Sequence, residues 1–68
     1  MDVDEVRRRV AGVAEHAKRV GDNEAAHCDE DALYIEVLRA VAQGAPNAAE
    51  LAAEALHARD LDFTRWYA

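Results

Sequence analysis

The chain contains no serine, one cysteine, one proline, one lysine, three glycines and only four aromatic side chains among its 68 residues. Without serine there is no Ser-His-Asp triad and no nucleophile elbow. The lone Cys28 has no partner for an internal disulfide, which fits a reducing cytosol. It also precedes Asp29, Glu30 and Asp31, whereas a reactive thiolate is favoured by electropositive surroundings. No Gly-rich phosphate loop occurs, and a chain this short leaves little room for a ligand pocket of ~300 Å³. The opening Met1-Asp2-Val3-Asp4-Glu5 is acidic and leads into no apolar run, unlike a signal peptide. Nothing approaches the ~20 consecutive apolar residues of a membrane span. The sequence thus predicts no catalytic residues, no cofactor, no membrane association and a cytoplasmic location.

Positive charge is also scarce. Eight basic side chains stand against 14 acidic ones, for a formal net charge of −6. Residues 1–20 sum to +1, residues 21–43 to −5 and residues 44–68 to −2. Wrapping nucleic acid needs the opposite field, so direct nucleic-acid binding is disfavoured. Arg7-Arg8-Arg9 spans three faces of a helix and makes no concentrated patch.

What the chain does have is helical periodicity. Val3, Val6, Val10, Val13, Ala17 and Val20 repeat at spacings of three and four, a narrow stripe suited to one neighbouring helix of its own chain or of a second copy. Asp2 or Asp4 is placed to cap its start and Gly21 its end, so a helix is predicted over about 3–20. A second helix, about 23–43, starts at Asp22 or Asn23 and stops at Gly44 and Pro46. Leu33, Val37, Leu38, Val41 and Ala42 share one of its faces, with Tyr34 beside them. Its first half, Glu24 to Asp31, carries only alanines, a small buried thiol and charges, and reads as a separate turn or as a tip projecting past the core. The third helix, about 47–59, opens at Asn47 with Glu50 three residues on as in a capping box, and its stripe is Ala48, Leu51, Ala52, Ala55 and Leu56. Asp62 is placed to cap a last turn, Phe63 to Tyr67. The fold class is all-α: one domain, 1–68, a three-helix bundle with a short C-terminal aromatic turn. Sixteen of its 35 apolar residues are alanines, so the core should be marginal for a monomer or supplemented by self-association.

Three groups of residues are candidates for function. Phe63, Trp66 and Tyr67 share a helical face, with Arg65 among them, and Trp, Tyr and Arg are the residues most enriched in binding hot spots. The tail is either an anchor for a partner or the lid of a core short of large side chains. Phe63 and Trp66 buried with Arg65 and Tyr67 displayed would fit both. Asp29-Glu30-Asp31 is a solvated acidic face or an electrostatic patch for a basic partner. The Val3–Val20 stripe is a possible homodimer seam. Metal chemistry has weaker support. Glu24-x-x-His27 and Glu54-x-x-His57 repeat the spacing of di-metal bundles, but helices turning near residue 45 leave the pairs ~9 Å apart along the axis. Glu24, His27, Cys28 and Asp31 on one face suit a zinc ion no better than an acidic surface. His27 can instead pack on Trp66 or bond a nearby carboxylate. No metal site is assigned.

The stretch Glu24-Ala25-Ala26-His27, through Glu30-Asp31-Ala32-Leu33-Tyr34, to the ending Asp60-Leu61-Asp62-Phe63-Thr64-Arg65-Trp66 resembles short uncharacterised proteins of actinobacteria and their phages. Seven arginines to one lysine and abundant alanine agree with such a GC-rich source. The resemblance covers residues 24–68 and implies a small helical cytosolic protein, with no activity or catalytic residue to carry over. The expectation is a small acidic interaction module that binds a protein partner, in a phage or prophage setting a host factor. The alternative is a homo-oligomeric structural protein joined along the valine seam.

Overall fold

The computed structural model describes residues 1–19 and 23–65. Three helices follow in order, α1 (Val3–Lys18), α2 (Asn23–Ala42) and α3 (Ala48–Leu56), and a 3-10 turn, His57–Asp60, extends the last of them. No strand occurs among the described residues, and the three-helix bundle expected from the sequence is the fold. Among the same residues no helix is long and apolar enough to cross a membrane.

Local chemistry sets the helix ends. The Asp2 carboxylate accepts a hydrogen bond from the Glu5 amide at 2.8 Å and caps α1, with Asp4 and Glu5 in the positive first turn. Arg19 is already extended, so α1 stops short of the predicted residue 20; Val20 and the proposed cap Gly21 lie outside the described residues. At the end of α2, Gly44 takes φ 87°, its amide bonds the Val41 carbonyl and the Ala45 amide bonds the Ala40 carbonyl, both at 3.0 Å. That pair of bonds is a Schellman motif, which needs a residue free of Cβ strain at Gly44. The capping box predicted for α3 does not form. Asn47 sits at the cap position with ψ 29° and no side-chain cap bond; its carbonyl alone receives the Leu51 amide.

The core lies between the three helices. Val6 from α1, Leu33 and Val37 from α2, Leu51 and Ala55 from α3 and Ala58 from the 3-10 turn form one buried cluster, flanked by partly buried Val3, Val10 and Tyr34. Val13 is also fully buried. The valine stripe is therefore occupied within the chain. Val6 and Val13 have no exposed surface left to join a second copy, which corrects the seam reading; Val3, Val10 and Ala17 are partly covered and Val20 lies outside the described residues.

The faces of α2 and α3 differ from the predicted ones. The inward stripe of α2 is Ala26, Glu30, Leu33 and Val37, and Leu38, Val41 and Ala42 point out. Its first half is neither a separate turn nor a free tip, because Ala26 is fully buried and Glu30 nearly so. Cys28, expected as a buried thiol, is exposed. In α3 the inward row is Leu51, Ala55 and Ala58, leaving Ala52 and Leu56 exposed. Asp62–Arg65 has no regular secondary structure, so the predicted helical turn does not begin at Phe63.

Candidate functional site

Two features meet on the side of the bundle where α2 faces α3: a buried ion pair and, next to it, an apolar groove. The ion pair joins the middle of α2 to the strap that follows the 3-10 turn. Glu30 falls on the inward stripe of α2, one turn before Leu33, and is only 4% exposed. Arg65 meets it as a fork, Nε donating to Oε1 and Nη2 to Oε2, each at 2.8 Å. Such bidentate pairing is the strongest arrangement a carboxylate and a guanidinium make. The remaining donors of Arg65 gather the strap around it: Nη2 bonds the Ala58 carbonyl at 3.1 Å, and Nη1 bonds those of Leu61 at 3.3 Å and Phe63 at 3.4 Å. The guanidinium lies 3.9 Å from the Phe63 ring centroid, a cation–π contact. Tyr34 adds its hydroxyl to Glu30 Oε2 at 3.3 Å.

The electrostatics follow. Hydrogen bonds from Arg65 hold the Glu30 carboxyl below its ordinary pKa, against burial, which pushes the other way. Burial first, and then the Glu30 charge, raise the Tyr34 phenol. Every polar atom of this cluster is satisfied: no buried side-chain nitrogen or oxygen among the described residues lacks a partner.

These contacts redistribute the expected binding residues. Arg65 faces inward and only 18% of its side chain is exposed, so it is a fastener and not the displayed hot spot the sequence suggested. Phe63 is half-buried beneath it, in keeping with a tail that folds back; Trp66 and Tyr67 lie outside the described residues. The acidic trio is split three ways. Glu30 points into the core, Asp29 pairs with His16 of α1, and Asp31 sits 3.5 Å from His27. The sequence reading of a continuous acidic patch thus fails because a helix turns each of three successive residues by 100°. His27 lies near a carboxylate, that of Asp31, as one of its two expected placements had it; Trp66, the other, lies outside the described residues. Of the two Glu-x-x-His pairs, Glu54 is held by Arg7 at 3.1 Å and by His57 at 3.3 Å.

The groove beside the ion pair was not foreseen. It is an open crevice of about 270 Å³ lined by Tyr34, Val37 and Leu38 from α2, Ala52, Ala55 and Leu56 from α3, and Arg59 at one end. It exists because α3 sets alanines between its leucines, leaving Leu38 and Leu56 to stand as the two walls. Leu38 is 67% exposed and Leu56 57%, the largest exposures among the bulky apolar residues described, with Ile35 and Val41 continuing the apolar surface along α2. A second, polar crevice of about 240 Å³ adjoins it, lined by Glu30, Asp31, Tyr34, Arg59 and Arg65, so Tyr34 and Arg59 border both. Both crevices stay below the ~300 Å³ at which ligand pockets begin. The signal that would have located the groove was the spacing Ala26, Glu30, Leu33, Val37: accepting a glutamate in the core stripe turns Leu38 outward. Compared with known protein families, curated proteins and solved structures, the chain matches none.

Proposed function

We propose that this chain is a small protein-binding module and that its docking face is the groove between α2 and α3, which receives a helical segment of another protein. One observation carries the reading. The chain has five leucines in all, and two of them, Leu38 and Leu56, stand exposed on the walls of one groove with the small Ala52 and Ala55 between them. Exposed apolar surface grouped around a concavity marks an interaction site far more often than scattered single residues do. A crevice between two neighbouring helices suits a third helix laid along it, with anchors at i, i+3 or i+4 and i+7. A second copy is a poor occupant, since two chains of net charge −6 repel one another. In the phage or prophage setting that the sequence resemblance implies, the partner is a host protein.

The test is a selection from a library of helical peptides on the immobilised protein, followed by measurement of each recovered peptide against Leu38→Asp and Leu56→Asp. The proposal expects recovered sequences with apolar residues at helical spacing and loss of binding to both variants, each of which keeps the wild-type circular dichroism spectrum. Peptides indifferent to both substitutions would place the docking face elsewhere.

A further inference from the structure

The groove has one charged wall residue, and its environment specifies what a partner must bring to that end. Arg59 lines both the apolar groove and the polar crevice next to it. Among the described residues its guanidinium makes no ion pair or hydrogen bond, and its charge is felt by the neighbouring Tyr34 phenol. This is unexpected in a chain with 14 carboxylate side chains and only eight cations. The reason is local. The two acids that share the crevice are already engaged: Glu30 is held bidentately by Arg65, and Asp31 sits at His27. The Tyr34 hydroxyl is likewise turned to Glu30. Among the described residues, what remains at the mouth of the groove is a cation with its donors open, beyond a trough whose other walls are apolar.

Resting on the docking face proposed above, we infer that the groove binds an amphipathic helix in one orientation, with a carboxylate side chain set on Arg59 and large apolar side chains between Leu38 and Leu56. The apolar trough supplies contact area but no direction, because Leu38 and Leu56 would accept a helix running either way. Arg59 supplies the direction. Its planar fork matches a carboxylate bidentately and prefers it to a neutral amide. A lysine placed there would leave two cations opposed at the edge of an apolar contact, and such like-charge juxtaposition is the usual device by which an interface rejects a wrong partner. Solvent reaches this end of the groove, so the pair acts mainly on orientation, selectivity and salt dependence and less on total affinity.

The experiment uses three synthetic helical peptides with capped ends, identical in their leucines at i, i+3, i+4 and i+7. One turn beyond the last leucine they carry glutamate, glutamine or lysine. Binding to the full chain is followed by two-dimensional NMR, reading the methyl groups of Leu38 and Leu56 and the Arg59 Nε–H. The inference expects all three peptides to shift the leucine methyls and only the glutamate peptide to shift Arg59 Nε–H. The glutamate peptide should bind about fivefold tighter than the lysine peptide at low salt, a ratio that shrinks toward one as salt is added. Arg59→Glu, at an exposed position, should invert the preference. Equal affinities with leucine shifts intact would overturn the role of Arg59 and leave the docking face standing. No leucine shifts with any peptide would overturn the docking face itself. Leucine shifts that move with protein concentration alone would make the occupant a second copy, and peptide uptake that requires removal of residues 66–68 would make it the chain's own terminus; either result overturns the inference.

Discussion

Arg65→Ala strands a carboxylate inside the bundle, and the size of the penalty can be worked out. Glu30 is 4% exposed, so without its partner it cannot regain water. Breaking a buried pair by removing one member costs about 3–5 kcal/mol. Glu30 has one escape, taking up a proton, and from its ordinary value of 4.5 that costs about 3.4 kcal/mol at pH 7. The loss should therefore settle near 3 kcal/mol. A 68-residue domain holds only about 3–10 kcal/mol in total, and the melting temperature should fall by about 12–24 °C. Thermal melts followed at 222 nm measure this directly. The pH dependence carries the mechanism. In the wild type the Glu30 carboxyl titrates below its ordinary value, so its contribution is complete above 4.5 and is lost as pH falls through the folded value. In Arg65→Ala burial becomes the largest remaining influence, ahead of the Tyr34 hydrogen bond and the His27 charge, and raises the carboxyl, so that variant should gain stability as pH falls from 7 toward 4.5. Replacing both residues by methionine should restore stability to within about 1 kcal/mol of wild type, because a matched apolar pair removes both desolvation penalties. A loss below 1 kcal/mol for Arg65→Ala, or a Met-Met variant no better than Arg65→Met alone, would refute the reasoning.

Other substitutions probe the frame around this pair. Gly12→Ala lies inside α1, where an added Cβ meets nothing within 4 Å; it should stabilise by about 0.5–1 kcal/mol, read as a higher urea midpoint at unchanged slope. Gly44→Ala imposes a side chain at φ 87° and should cost about 1–2 kcal/mol in the same titration. Leu38→Asp alters a residue 67% exposed, so its melting free energy should stay within about 0.5 kcal/mol of wild type. A cooperative loss larger than that would mean Leu38 supports the fold, and peptide-binding data from the variant would then report stability and not docking.

The number and placement of the helices were legible because their signals are local: the cap at Asp2, the stop at Gly44 and Pro46, and the apolar periods between. The inward faces of α2 and α3 were not. A hydrophobic pattern ranks leucine above alanine and excludes glutamate, so it placed Leu38 and Leu56 inside and Glu30 outside, the reverse of what is found. The exchange is decided by a partner 35 residues away, since only Arg65 makes it possible for Glu30 to face the core. No short-range rule reads that. Arg65 was singled out for its aromatic neighbours as a displayed residue, whereas it faces inward onto Glu30. The valine seam was recognised as a packing surface, while its assignment between own helices and a second copy needed the third dimension.

The span between Glu30 and Arg65 also bears on how the chain is made. Synthesis delivers α1, α2 and α3 in order, yet the counter-charge for the middle of α2 arrives only with residue 65. A nascent or prematurely terminated chain carries a carboxylate that its own core rejects, and its native state is short of several kcal/mol when only about 3–10 are available. The chain that reaches Arg65 closes over this charge. The clamp thus ties stability to chain length: a chain ending before Arg65 should melt lower and be cut faster by protease than the full chain.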